Sequence, residues 1–398
     1  MAFRHWPALP NALTPARVET GLTLLGLVAL LDPPRPEAAE AVRLCQAAGI
    51  TPVMITGDHP ATAKAMAVRL GIAQATDGVL TGQDLAKTSA ADLQNVIRET
   101  RVYARVTPAQ KITLVQALQE GGEFVAMTGD GVNDAPALKR ADIGVAMGRQ
   151  GTDVAREAAD MVLLDDHFAT LVAAVREGRR IYDNICKFLK YIMACNAGEI
   201  WTLLLAPLLG LPLPLLPIQI LWINLVTDGL PGLALAAEPQ ERGIMQRPPR
   251  PPQESVFAHG LWQHTLWFGL LIGGLALGAQ AWAWHHGSPN WQTVTFTVLT
   301  LAQLVQALAI RSERDSLFTI GIGSNRPLLG AVLLTLLLQL AVIYLPWGHA
   351  VLKTSPLTLQ ELAVCLLLPW VVLVAVEIEK GLARRGWIYA KTDKRSRW

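Results

Sequence analysis

The sequence predicts an incomplete, doubly wound α/β domain followed by six transmembrane helices, and three observations carry that prediction. From about residue 21 to residue 166, short apolar runs alternate with amphipathic stretches, the rhythm of parallel strands joined by crossover helices. After residue 166 come six apolar stretches, each close to the ~20 residues needed to cross hydrocarbon. Across 398 residues the chain is 52% hydrophobic and 17% charged, too apolar for an ordinary soluble protein of this length.

Taken in order, the first half opens with LTLLGLVALLD as a buried strand and PEAAEAVRLCQAAG as an amphipathic helix. TPVMIT and ATAKAMAVRLG repeat the pair. RVYARV, PAQKITLVQALQE, EFVAMTGD, a further helix, IGVAM and MVLL continue it. The strands are near-continuous apolar runs, as a parallel sheet covered on both faces requires. Acid-bearing turns fall at strand ends, at Asp32, Thr56 to Asp58 and Asp130 to Asp134, where open parallel sheets place ligands.

The second half begins with FATLVAAVREGRRIYDNICKFLKYIMACNAGEIWTLLLAPLLG, polar at first and then apolar, which fits a stalk helix entering a bilayer. Five more spans are expected near 215–237, 261–284, 292–310, 328–346 and 358–378. Six crossings leave both ends on one side. Lys187, Lys190, Arg242, Arg247, Arg250, Arg311, Arg314, Arg326 and the tail EKGLARRGWIYAKTDKRSRW all fall on that side, whereas the opposite loops hold one lysine, Lys353. The positive-inside rule therefore predicts an integral membrane protein with the α/β domain and both termini cytoplasmic, and a bacterial-type plasma membrane is the expected location.

A formal charge of +2 gives no global basic field and no reason to expect nucleic acid. Cys45, Cys186, Cys195 and Cys365 lack CxxC or Cys/His spacing, so they read as reduced structural thiols rather than zinc ligands or disulfides. The first twenty residues lack the pattern of a secretory signal, leaving insertion to the internal spans.

Phosphoryl transfer needs a metal, a lysine and hydroxyl or amide donors at strand ends, and the α/β half offers such a set. Asp130 is placed to hold magnesium, with Asn133 and Asp134 following at the start of a helix whose N-terminus favours anions. Lys111 can balance phosphate charge, and Thr56 and Gly57 can bind phosphate oxygens through a hydroxyl and an amide. Singly, each has a plainer explanation: Asp58 and Asp130 as helix caps, Gly57 and Gly131 as turn residues, Lys111 as a solvated helix lysine. Caps and turns do not dictate the eleven-residue string TGDGVNDAPAL from Thr128 to Leu138.

In the membrane half, Glu199 and Asp228 lie deep in apolar segments, where an ionised carboxylate is expensive unless it meets a cation or a partner. Asn196 with Glu199, and Asn224 with Thr227 and Asp228, sit three or four residues apart and so share helical faces. Hard cations take oxygen sets of this kind. Gly229 and Pro231 weaken the helix and can release carbonyls toward the site. The competing explanation is polar glue between helices.

DPPR at Asp32 to Arg35, MITGD at Met54 to Asp58, TGDGVNDAPAL and the following KRADIGVAMG resemble the phosphorylation domain of P-type cation ATPases, of the haloacid dehalogenase class. The resemblance continues through Asn224 to Pro231 and covers nearly the whole chain, closest to the type II calcium-transporting branch. It implies a nucleotide-domain remnant at 1–20, the phosphorylation domain at 21–166, stalk and spans at 167–381 and a basic cytoplasmic tail at 382–398. It implies Asp130 as the magnesium ligand, Thr56, Gly57 and Lys111 as phosphate contacts, and Asn133 and Asp134 as their supports. Asp58 and Arg105 would approach the nucleotide. Asn196, Glu199, Asn224, Thr227 and Asp228 would ligate the transported cation. Gln303 stands where some calcium pumps carry an acid, which favours one transported ion over two. Magnesium and ATP are the implied cofactors, and calcium, the lipid bilayer and a separate chain supplying the N-terminal half the implied partners.

The family's phosphorylated aspartate lies in a DKTGT motif, and no such string occurs here; the one Asp-Lys pair is Asp393-Lys394. Without that nucleophile no aspartyl-phosphate forms, and the chain is not expected to turn over alone. The first strand of the sheet goes with it, so the remaining sheet is expected to be open or frayed at an edge. The alternative to a portion of a pump is a non-catalytic, regulatory membrane protein that binds cation or magnesium and phosphate.

Overall fold

The computed structural model describes residues 1–7, 13–28, 33–251, 254–257 and 260–389. Asp32, the Asp393-Lys394 pair and the tail from residue 390 lie outside the described residues. The chain forms two compact units, one of 1–43 with 52–169 and one of 44–51 with 170–398.

The first unit runs β1 (Ala2–Phe3), α1 (Pro15–Val18), β2 (Thr23–Leu24), α2 (Pro36–Ala47), β3 (Met54–Ile55), α3 (Pro60–Leu70), β4 (Leu80–Thr81), α4 (Gly82–Lys87), α5 (Ala90–Glu99), β5 (Val102–Ala104), α6 (Pro108–Glu120), β6 (Ala126–Gly129), α7 (Ala135–Arg140), β7 (Ile143–Met147), α8 (Asp153–Ala158) and β8 (Met161–Leu163). Its parallel strands form two three-stranded sheets, ordered β3-β5-β4 and β6-β7-β8. In register, Met54 pairs with Val102, Leu80 with Tyr103 and Thr128 with Val145. Alternation along β5 shows both faces covered. Val102 and Ala104 pack with Ala63 and Ala67 of α3, while Tyr103 packs with Ile97 of α5 and Leu114 of α6. Helix α6 also serves the second sheet, where Val115 joins Met127, Leu138 and Ala146. In place of one sheet open at an edge there are two ladders, with β3 and β4 the edges of the first and β6 and β8 the edges of the second.

The apolar run expected to form the first strand departs from its prediction. Among its described residues only Thr23–Leu24 pairs, antiparallel with Ala2–Phe3, and Leu25, Leu27 and Val28 are exposed. Strand propensity does not order a run without a neighbouring ladder and a face to bury. Helices α4 and α5, absent from the sequence reading, are short and begin with side-chain caps, Thr81 on Asp84 and Ser89 on Asp92.

The second unit contains α9 (Phe168–Leu208), α10 (Pro217–Trp222), a π-helical turn (Ile223–Thr227), α11 (Gly229–Leu235), α12 (Leu261–His285), α13 (Trp291–Ala309), α14 (Leu317–Ile320), α15 (Arg326–Tyr344), α16 (Pro346–Leu352), α17 (Leu359–Leu367) and α18 (Trp370–Arg384). Six helices among the described residues are long and apolar enough to span a membrane: 168–208, 217–235, 261–285, 291–309, 326–344 and 359–384. The second combines α10, the π turn and α11, and the sixth combines α17 and α18. Helix α13 is the most enclosed of them, its Val294, Phe296, Val298 and Ala302 fully buried in the central core.

Helix α9 changes character along its length, as the sequence predicts. In its polar half, Arg179 donates to the carbonyls of Ile244 and Arg247, Asn184 to those of Ala236 and Glu238, and Asp183 pairs with Arg247 at 2.7 Å. In its apolar half it meets α12 at unusually short range. A Cβ added to Gly269 would lie 2.5 Å from Ala197 Cβ, and one added to Gly273 would lie 3.0 Å from the Gly198 carbonyl. Small residues permit such backbone approach in membrane bundles. The loop after α11 is fastened by Arg311 and Glu238, both buried and 2.9 Å apart.

Candidate functional site

In the α/β unit the predicted residues gather at the C-terminal ends of β3 and β6. Asp134 is the N-cap residue of α7. Its Oδ1 is 2.6 Å from Lys111 Nζ, and its Oδ2 accepts the amides of Asp130 and Gly131 at 3.3 and 3.2 Å. This carboxylate closes the TGDGVND loop. The closure demands glycine at 129, where a Cβ would come 2.5 Å from Asp134 Cβ. Lys111 is therefore a paired, half-buried group rather than a solvated helix lysine.

Asp130 and Asn133 are exposed. The Asp130 carbonyl accepts the Thr152 amide, while its side chain has no protein hydrogen bond among the described residues. One exposed carboxylate at a strand end suits magnesium, which keeps several waters and takes one or two protein carboxylates. The residues present therefore fit that ion.

At β3, Thr56 Oγ1 accepts the Asp58 amide at 3.1 Å, and Gly57 and Asp58 are exposed. Arg105 lies at this turn in a left-handed conformation, φ 53°, its amide donating to the Asp58 carbonyl. Asp58 is not a helix cap: His59 is, its Nδ1 accepting the Ala61 amide. Asp130 is not one either, because Asp134 takes that place. No hydrogen bond among the described residues joins the Thr56–Asp58 turn to Lys111 or Asp130. Each set belongs to its own sheet.

The membrane set is more closely assembled. Glu199, buried on α9, accepts Asn224 Nδ2 at 3.0 Å on one oxygen and Gln303 Nε2 at 3.2 Å on the other. Three helical segments thus converge on one carboxylate. Asp228 and Thr227 are fully buried. Asp228 Oδ2, Thr227 Oγ1 and Gln303 Oε1 are enclosed without a protein partner. Further oxygens of this kind lie outside the cluster, at Tyr103, Thr300 and Thr335, so it is the grouping of three beside Glu199 that sets this place apart. Two carboxylates, a hydroxyl and two amides form a hard-cation donor set; no cluster of three or more His, Cys, Asp or Glu exists among the described residues.

Two details depart from the sequence reading. Helical spacing of three and four placed Asn224, Thr227 and Asp228 on one face, yet Asn224 is exposed while the other two are buried. The π turn at Ile223–Thr227 adds a residue to the coil and rotates that face. The helix is disturbed there, before Gly229 and Pro231 rather than at them. Asn196, one turn before Glu199, is half-buried and has no hydrogen bond to the cluster among the described residues.

Tyr191 was not singled out by sequence. Fully buried, its hydroxyl is 3.1 Å from the Thr227 carbonyl and 3.3 Å from Asp228 Oδ1. Its position eight residues before Glu199, on the same face of α9, was the available signal.

Residues 212–382 match the family described as cation transporting ATPase, C-terminus, and residues 5–142 match haloacid dehalogenase-like hydrolase. A calcium-transporting ATPase of Bacillus subtilis is 49% identical over 345 residues, covering 86% of this chain and 39% of the relative. This chain belongs to the P-type cation ATPases and matches the C-terminal part of that family. Calcium-transporting ATPase 1 of Bacillus cereus is 43% identical over 93% of this chain and 43% of its own length. For the cation-transporting ATPase pma1 of Synechocystis the figures are 42%, 92% and 42%. The chain spans about two fifths of the length of these relatives. The ATPase C-terminal match contains Asn224, Thr227, Asp228 and Gln303, and the hydrolase match contains Thr56, Lys111 and Asp130.

Proposed function

We propose that the chain supplies the magnesium and phosphate site and most of the cation site of an ATP-driven calcium pump. The convergence of Asn224 and Gln303 on Glu199, beside Asp228, carries this reading. The names of the Bacillus relatives favour calcium over other cations.

Asp130 would hold magnesium and Lys111, oriented by Asp134, would face the phosphoryl oxygens. Thr56 and Gly57 offer a hydroxyl and an amide to the same group, and Asp58 and Arg105 face the nucleotide. Magnesium, when bound, neutralises charge on the transferring phosphoryl group. Asp134 holds the loop so that Asp130 needs no rearrangement, and Asn133 would support it. In the membrane unit, Glu199, Asp228, Thr227, Asn224, Gln303 and Asn196 supply oxygens to one ion. The basic loops and the α/β unit are cytoplasmic.

The acceptor aspartate comes from a segment outside these 398 residues, in which DKTGT does not occur. Radiolabelled ATP, magnesium and calcium, given to the purified chain with and without a co-expressed chain carrying DKTGT and the remaining spans, test this. A calcium-dependent, acid-stable band is expected from the pair and not from the chain alone. A band from the chain alone refutes the missing acceptor. No band in either arm favours the second reading, a non-catalytic cation-binding regulator, which the absence of DKTGT supports.

A further inference from the structure

One fully buried titratable group in the membrane unit has no part in the cation cluster. His264, on α12, is stacked on Phe268 with ring centroids 4.1 Å apart. Its Nδ1 lies 2.9 and 2.8 Å from the two oxygens of Glu379 on α18. That carboxylate also accepts the Tyr389 hydroxyl at 2.8 Å and faces Lys190 of α9 at 3.7 Å. On the other side of the ring, Nε2 is 3.4 Å from Gln306 Nε2 on α13. Gln306 Oε1 in turn accepts the Cys195 thiol of α9 at 3.6 Å. The groups facing the imidazole are thus Lys190 and Cys195 from α9, Glu379 and Tyr389 from α18 and the segment after it, and the uncharged Gln306.

This order of donors fixes the tautomer. An imidazole nitrogen set against two carboxylate oxygens carries the proton, which leaves Nε2 as an acceptor. An acceptor there orients the Gln306 amide with its NH2 toward His264 and its oxygen toward Cys195. Gln306 follows Gln303 by three residues on α13, and Cys195 precedes Glu199 by four on α9. The Gln306–Cys195 contact therefore lies one helical turn from the Gln303–Glu199 bond and joins the same two helices. Reversing the amide, or removing its partner, loosens α13 against α9 one turn from the carboxylate that Gln303 must reach.

We propose that His264 is a positioning residue for the cation cluster: held as the Nδ1–H tautomer by Glu379, it fixes the Gln306 amide and through it the approach of α13 to Glu199. The proposal rests on reading that cluster as a cation site. A proton added at Nε2 would turn the acceptor into a donor facing the Gln306 NH2 and undo the arrangement, with no other bond made or broken.

The test is equilibrium binding of radioactive calcium to the full chain in nanodiscs, with melting temperature measured alongside. His264→Phe keeps the stacked ring and removes the acceptor. His264→Gln can place an amide oxygen near the position of Nε2. Calcium affinity is expected to fall by roughly fivefold, the low end of typical site-to-site coupling, in His264→Phe and to recover in His264→Gln. Gln306→Leu, which leaves the imidazole intact, is expected to match His264→Phe. Nitrogen-15 spectra of histidine-labelled chain, assigned by loss in His264→Phe, are expected to show Nδ1–H. Wild-type affinity in His264→Phe, failure of His264→Gln to recover it, or an Nε2–H tautomer overturns the proposal. Absence of calcium binding in the wild type, with the Nδ1–H tautomer present, overturns the cation-site reading and this proposal with it.

Discussion

Glu199 holds two amide donors from two other helical segments, so the consequence of changing it separates ligation from packing. Glu199→Gln keeps the shape and removes the charge. If the cluster binds calcium, this change and Asp228→Asn should each lower affinity at least tenfold while shifting melting little, because the Gln303 amide, whose Oε1 has no partner, can turn to accept the new NH2 at position 199, and an amide oxygen at position 228 still accepts the Tyr191 hydroxyl. Polar glue predicts the reverse, unchanged binding with altered stability, and parallel binding and melting curves decide between them. In the α/β unit, Lys111→Ala leaves the buried Asp134 carboxylate without its cation partner at 2.6 Å. It should destabilise that unit by roughly 1–3 kcal/mol, the cost of stranding a buried polar group, as read by its urea midpoint.

At the scale of elements, most of the fold is legible because its signals are local and repeated. The strands at Met54, Val102, Ala126 and Ile143 and the six apolar helices follow from period and length. What is not legible depends on contacts distant in sequence or on backbone geometry. The run from Leu22 to Val28 has strand composition, but composition does not say whether a ladder exists to receive it. The π turn leaves no periodic mark, so the exposure of Asn224 could not be read from its spacing to Asp228. Likewise, Gly269 and Gly273 look like ordinary membrane glycines until Ala197 and Gly198 are found against them. Gly269→Ala should therefore cost about 1–3 kcal/mol by overpacking, a loss measurable as thermal stability in detergent.

One loop of the α/β unit has a built-in acid dependence. Asp166, buried and at φ 57°, accepts the amides of Arg149 and Gln150, each at 2.9 Å. The Arg149 amide foremost, then those of Gln150 and Gly148 and the charge of Arg35, hold its carboxyl below the usual value against the cost of burial. A depressed folded-state value means that the stabilisation is complete above the unfolded aspartate value near ~3.9 and is lost as pH falls through the lower folded value. Amide exchange at Arg149 and Gln150 should accelerate over that acid window, relative to intrinsic rates, and Asp166→Asn should remove the dependence.

For the whole molecule, the residues proposed to handle phosphate and those proposed to bind the cation lie in two separate units, each with its own core. On the topology proposed from the positive-inside rule, the first is cytoplasmic. Trypsin applied to sealed inside-out vesicles should cut the α/β unit, and right-side-out vesicles should protect it. The claim on which the rest depends is that the membrane unit binds calcium through Glu199 and Asp228. Equilibrium binding of radioactive calcium to the chain in nanodiscs, without nucleotide, tests it most directly. The account predicts saturable binding of one ion per chain, abolished in the Glu199→Gln, Asp228→Asn double variant; no saturable binding, or equal binding in that variant, would contradict it.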